Sequence, residues 1–343
     1  MSRFHLELLK RITLKGADRF VIHKGHAFVC GLYGETRGIH ILNLENPEEP
    51  DQVRSVRFRN AIGNVFVQDN TLYATENGRA IHKFDLEDIT DPQLVDSFVL
   101  LGYDLYDMRI IGDYAFLAMN WDGIGVVDLN LPDEIQPVQK QKVEKGYVER
   151  LVPFGENLLF TSGSDDPFLY EISFVNGSLN IVEKREFTDF NPSKVFYCRD
   201  EVVLYGKFKK GKKEINAISV LNAAFQPLGE PIRLERPPNL CFSLSNGNIL
   251  FGFDYSYVIL DKTRGTIIPL FAQFEQDGSK QYVEISNDSN RIASDVSYDA
   301  NIKRTCMDSL KCAYKQDNFF FAIHGDDFIS FRIGEDSLFQ NII

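Results

Sequence analysis

Few residues in this chain stand at spacings that perform chemistry unaided. The five cysteines, Cys30, Cys198, Cys241, Cys306 and Cys312, are odd in number and scattered among strand-forming residues, the pattern of reduced thiols rather than of a disulfide framework. Cys306 and Cys312 lack a second pair and a nearby histidine, so they read as small packed side chains and not as a zinc site. His23 and His26 straddle a tight turn, and His5, His40, His82 and His324 are dispersed. The i, i+4 histidine pair of a helical metal site does not occur. Nor does the sequence contain a Gly-x-Ser-x-Gly elbow, a phosphate-cradling glycine loop or a dinucleotide fingerprint. No catalytic residue is assigned and no cofactor is expected.

What remains is a set of loop residues suited to contact. Trp121, the sole tryptophan, is flanked by Asn120 and Asp122; it reads equally well as an exposed contact residue and as a ring packed over a neighbouring element. Tyr33, Arg37, Arg79, Tyr103 and Tyr255 fall on comparable loops and belong to the residue types enriched at interface hot spots. Asp165 and Asp254 are further binding candidates. Together with Asp166, Asp326 and Asp327 they could hold calcium if they converged, but no loop has the Asp-x-Asp-x-Asp-Gly spacing, and turn-forming aspartate is the plainer reading. The lysines of 207–213 would suit an anionic partner, or simply solvate a hairpin tip.

The elements that must position these loops repeat along the chain. From Phe20 the sequence reads as a strand, a turn at Lys24-Gly25, a second strand, a loop, a third strand and a proline-bounded fourth, and the pattern recurs from Val65 and from Met108. Taking the first turn as a mark gives Gly25, Asn70, Asp113, Glu156, Asp200 and Asn246, separated by 45, 43, 43, 44 and 46 residues. That period is the size of a propeller blade. One four-stranded unit cannot bury both faces, so copies must stack, and radial stacking leaves only short edges exposed.

The expected fold is therefore an all-β, seven-bladed β-propeller of four-stranded blades, one domain over 1–343. The chain ends with strands for a last blade but little room for its fourth, while 4–14 resembles an outer strand without a blade. Pairing 4–14 with the strand around 328–333 closes the ring and removes an open edge. The last inner strand would be 307–316, which requires an insertion at 276–304; a hairpin there around Asn287-Asp288 keeps an eighth, degenerate blade as the alternative. In this register the loops between second and third strands share one rim with the connections from fourth strands to the next first strands, and binding is expected there.

The first copies resemble the LVIVD-repeat propellers. The matching residues are Gly25-His26-Ala27-Phe28-Val29 with Gly38-Ile39-His40-Ile41-Leu42-Asn43-Leu44, and Gly112-Asp113-Tyr114-Ala115-Phe116-Leu117-Ala118 with Gly123-Ile124-Gly125-Val126-Val127-Asp128-Leu129. Asn46-Pro47 and Pro50 bound the following loop. The resemblance covers about 20–143 and fades beyond. It implies a fold and not a function, because propellers serve many unrelated activities.

Composition narrows the classes of partner. A net charge of −12 lacks the basic face that nucleic acid needs and suits a basic protein partner or simple solubility. No export signal and no apolar run of membrane-helix length is visible, so the expected place is the cytoplasm, as a monomer on its own. Two functions fit. The first is a non-catalytic interaction module, of adaptor or immunity-like kind, holding another protein across the rim. The alternative is a propeller enzyme or small-ligand or metal binder with its site at the channel mouth.

Overall fold

Each recurring letter of the repeat has a structural task. The computed structural model describes residues 2–32, 37–76, 80–99, 105–130, 139–143, 146–163, 168–244, 246–253, 257–269, 271–276, 279–284 and 310–337. Among them the chain is all β, and no helix is long and apolar enough to cross a membrane. Six sheets have four strands in the order first, second, third, fourth, and the last sheet has six. Together they are the seven blades of a β-propeller.

The turns between first and second strands carry the marks read from the sequence. Lys24 and Gly25 both take positive φ there, and Asp69, Gly112, Gly155, Arg199 and Asp317 do so at the corresponding turns, where Gly, Asn and Asp are the usual residues. At the far end of the third strand, the side chains of Asn43, Asp85 and Asp128 each accept a hydrogen bond of 2.9 Å from the N–H two residues on. The leucine between then turns inward. Leu44, Leu86 and Leu129 are buried, and their N–H groups donate to the carbonyls of Gly25, Asn70 and Asp113. The Asp/Asn-Leu pair of the repeat thus pins the blade's third strand to its first turn. Gly38 and Gly123 open the third strand with positive φ, and a Cβ on either would fall 2.0 or 2.2 Å from a carbonyl of the fourth strand.

Fourth strands are sheet edges, and three of them are blunted in the same way. In blades one, two and four a bulge leaves Val53, Val95 and Val182 without a cross-strand partner. All three are exposed. An edge that bulges is a poor template for pairing with another chain.

The chain forms two compact units, Met1–Val65 with Pro238–Ile343, and Phe66–Pro237. The first holds blade one (Ala17–His23, His26–Gly31, Gly38–Asn43, Asp51–Arg57), blade six (Leu240–Ser243, Ile249–Gly252, Tyr257–Asp261, Thr266–Pro269) and blade seven. Blade seven takes Leu310–Gln316, Phe319–His324 and Asp327–Ser337 from the C-terminal part and Ser2–Thr13 as its fourth strand, as expected. Leu6 is 1% exposed in a core with Tyr257, Phe320, Ile329 and Phe331. Glu7 accepts a 2.6 Å hydrogen bond from Arg332, which also reaches Glu48 of blade one. Between blades six and seven, Tyr257 Oη lies 2.5 Å from His324 Nε2, both fully buried.

The stretch before blade seven adds to this sheet instead of making an eighth. Phe271–Gln276 pairs in parallel with the N-terminal strand and antiparallel with Ser279–Glu284. The hairpin expected around Asn287-Asp288, with the rest of 285–304, lies outside the described residues.

The second unit holds blades two to five, with the unit boundary falling in the first strand of blade two, Ile62–Gln68. Blade two continues with Thr71–Glu76, Ala80–Asp85 and Gln93–Val99; blade three is Asp107–Ile111, Tyr114–Ala118, Ile124–Asp128 and Gln139–Gln141. Blade four is Val152–Phe154, Asn157–Thr161, Leu169–Val175 and Ser178–Arg185, and blade five is Phe190–Cys198, Glu201–Lys210, Lys213–Asn222 and Ile232–Arg233. Apolar faces meet between consecutive blades: Ile81 and Phe98 pack with Met108, Leu117 and Val127, and Leu159 and Leu169 pack with Val195, Leu204 and Ala217.

Because Leu6 is the buried anchor of the strand that completes blade seven, Leu6→Ala should lower unfolding stability by about 2–5 kcal/mol in a urea melt. Leu94→Ser, on an exposed edge, should stay within about 0.5 kcal/mol. Equal effects from the two would contradict this role for the N-terminal strand.

Candidate functional site

Of the nine binding candidates, Tyr33, Arg79, Tyr103, Asp165, Asp254 and Tyr255 lie outside the described residues. Arg37 is exposed in the first unit, and its guanidinium donates to the Arg59 carbonyl at 3.3 Å. Trp121 and Asp122 share one turn in the second unit, and the site is built around them.

That turn joins the second and third strands of blade three and is strapped at both ends. Met119 N–H donates to Gly123 O at 2.8 Å, Asp122 N–H to Met119 O at 3.0 Å and Gly123 N–H to Asn120 O at 3.1 Å. Asn120 takes φ 54°, a conformation that asparagine tolerates. Its backbone exchanges two 3.0 Å hydrogen bonds with Val148, on the connection into blade four. The preceding residue on that connection, Tyr147, accepts a 2.8 Å bond from Gly163 N–H through its carbonyl. A three-step ladder therefore runs from the blade-three loop across the connection to the blade-four loop.

Trp121 is held out by this ladder. It is 67% exposed, yet its ring meets that of Tyr147 edge to face, with centroids 5.1 Å apart at 62°. The ring thus rests on a neighbouring element and still offers most of its surface. Tyr147 in turn sits on Gly163, where a Cβ would come within 2.3 Å of the ring. Tyr106, exposed at the same end of blade three, is joined to the second strand by its N–H on Ala118 O at 2.9 Å. Exposed Asp122 and Glu149 place acid beside the aromatic ledge.

A buried carboxylate fixes the base of the ledge. Asp107 is 3% exposed and accepts hydrogen bonds from Arg109 Nη1 at 2.9 Å and from Leu151 N–H at 3.0 Å. A charge so placed is tolerable only when it is paired and hydrogen-bonded. Through Leu151, Asp107 sets the course of the segment that carries Tyr147 and Val148.

A second constellation escaped the sequence reading. His82 Nδ1 lies 2.8 Å from Ser97 Oγ, and its Nε2 lies 2.8 Å from Glu76 Oε2. With the proton on Nε2, the ring would donate to the carboxylate and accept from the serine, which is the arrangement that activates a hydroxyl. Blade one holds the same His–Ser pair: His40 Nδ1 is 2.9 Å from Ser55 Oγ, in the same cross-strand register. Both pairs are 15 residues apart, and that shared spacing was the available signal.

The remaining candidate chemistry is tied up locally. Asp326 Oδ1 accepts from Gly16 N–H at 3.0 Å and faces Lys311 at 3.9 Å, while Asp327 accepts from Thr13 Oγ1 at 2.7 Å and meets Arg11 at 3.5 Å. These two acids fasten the connection from the N-terminal strand into blade one. Among the described residues no three His, Cys, Asp or Glu side chains gather to hold a metal. The Cys30 thiol is pushed up to about 12, by burial first and then by Asp18, which makes it unreactive.

Comparison with known families and with curated proteins finds no match. Solved structures do match. The Pan2 WD40 domain of Neurospora crassa is 7% identical over 95% of this chain and 94% of its own, with a TM-score of 0.60. The hydrazine synthase of Kuenenia stuttgartiensis is 16% identical over 73% of this chain and 77% of that one, at 0.54. The computationally designed Ika8 protein is 8% identical over 96% of this chain and 99% of its own, at 0.52. At such identities the likeness concerns the fold alone.

As the sole tryptophan, Trp121 reports on its own ledge. Tyr147→Ala should raise acrylamide quenching and lower the fluorescence anisotropy of Trp121 while leaving far-UV circular dichroism unchanged. Unaltered quenching would mean that Tyr147 does not hold the indole.

Proposed function

We propose that this protein is a non-catalytic protein–protein interaction module of the LVIVD-repeat kind, acting in the cytoplasm, with its contact surface on the Trp121 ledge. The observation that carries the proposal is the pairing of high exposure with fixed geometry at Trp121. An exposed aromatic that is already ordered loses little conformational entropy when a partner covers it. Residues of this type are the ones whose truncation costs about 2 kcal/mol or more at interfaces. The net charge of −12, with Asp122 and Glu149 at the ledge, favours a basic partner by faster encounter.

The enzyme reading has one observation in its favour, the Ser97–His82–Glu76 relay. Against it, the His–Ser pair recurs in blade one at His40 and Ser55 in the same cross-strand register, as a repeated structural pair would.

In a pull-down from host lysate, the wild-type chain should retain one stoichiometric partner that Trp121→Ala loses, with an unchanged melting temperature. Retention of the same partner by Trp121→Ala would overturn the ledge as the contact. Labelling of Ser97 by a fluorophosphonate probe, abolished by His82→Ala, would favour the enzyme instead.

A further inference from the structure

The second and third strands of blade five are ten residues each, against five to seven for their counterparts in blades two to four. The second strand of blade four stops five residues after its turn, at Thr161. That of blade five continues for ten, to Lys210, so it is about 17 Å longer, and the first strand accompanies it only as far as Phe208. Its burial changes where it leaves the blade: Val202, Val203 and Leu204 are buried, whereas Lys207, Lys209, Lys210, Lys212 and Lys213 are exposed. Ser193, on the strand that supports the hairpin, accepts a 3.0 Å bond from Thr161 Oγ1, two residues from Gly163 of the ledge.

The tip is assembled against its own electrostatics. Lys210 and Lys213 are direct cross-strand partners, and like charges so placed destabilise a hairpin. Lys207 has Glu214 at 3.9 Å, and the same residue stands directly across the hairpin from Lys209. Among the described residues the other four lysines have no carboxylate within ion-pair reach, in a chain whose net charge is −12. A set of unneutralised cations on a projecting arm matches an anionic partner.

We infer that the blade-five hairpin is a docking arm for a short acidic segment of a partner protein. Phosphate backbones fit it less well, because a polyanion extends its charge over tens of ångströms and would meet the acidic remainder of the chain. The arm also lacks arginine, and the one aromatic residue of its outer part, Lys207–Lys213, is Phe208, which packs with Phe190 in the core between blades four and five. A membrane surface would call for apolar anchors beside the lysines, and the tip, Lys209 to Lys213, holds only lysine and glycine. The inference does not depend on the Trp121 ledge.

The test uses the full chain and a fluorescein-labelled peptide with about six glutamates in a Gly/Ser frame, followed by anisotropy at about 20 mM and about 150 mM salt. Lys210→Ser with Lys213→Ser should weaken binding about tenfold at low salt while the melting temperature holds or rises, because a repulsive pair has gone. Trp121→Ala should bind the peptide as wild type does, which separates failure here from failure of the ledge. Equal peptide affinity in the lysine variant would overturn the inference. Tighter binding of a single-stranded oligonucleotide or of anionic vesicles than of the peptide would overturn it as well.

Discussion

The pairing of Ser2–Thr13 with Asp327–Ser337 is the interaction on which blade seven depends. Without it the blade has three strands and one face of Phe320, Ile329 and Phe331 loses its cover from Leu6. The strand is held on both edges, by the C-terminal strand on one side and by Phe271–Gln276 on the other. Charged contacts add direction to this apolar anchor, with Arg332 on Glu7 and Asp327 on Thr13 and Arg11. The segment is long-range in sequence, so its pairing closes a loop of most of the chain, and burial must offset that entropy.

In blades one to four, order comes from small repeated devices. The Asp/Asn-Leu pair ties the third strand to the first turn, and bulged valines blunt the outer edges. A sheet so constrained presents its loops from a stiff base. The Trp121 ledge uses that stiffness: its ladder begins and ends on loops of blades three and four, each within two residues of a strand, and Asp107 anchors the connection between them. On the same second-to-third-strand side, blade five carries the lysine arm.

Much of this was legible in the sequence because the relevant signals are local. Turn residues with positive φ recur at each first turn, so the period and the blade count could be counted. The orphan alternation of the N-terminal segment likewise announced a strand in need of a sheet. The parallel pairing of His5 with Phe271 left no such trace, because non-local parallel contacts have neither a turn nor a period. Trp121 was legible by its type and loop position, but Tyr147 was not, since it stands on a connection between repeats where no motif letter falls. Its only sequence cue is Gly163, whose missing side chain leaves room for the ring. The His82 relay has no helical-spacing signature, because a sheet brings residues together by register.

A contact surface at Trp121 requires the ledge to be ordered before any partner arrives, and amide hydrogen exchange of the free protein tests this most directly. The amides of Asn120, Val148 and Gly163, each hydrogen-bonded across the ladder, are predicted to exchange as slowly as those in the strands of blades three and four. Exchange at the rate of an unstructured loop at these three positions would contradict a preformed contact surface.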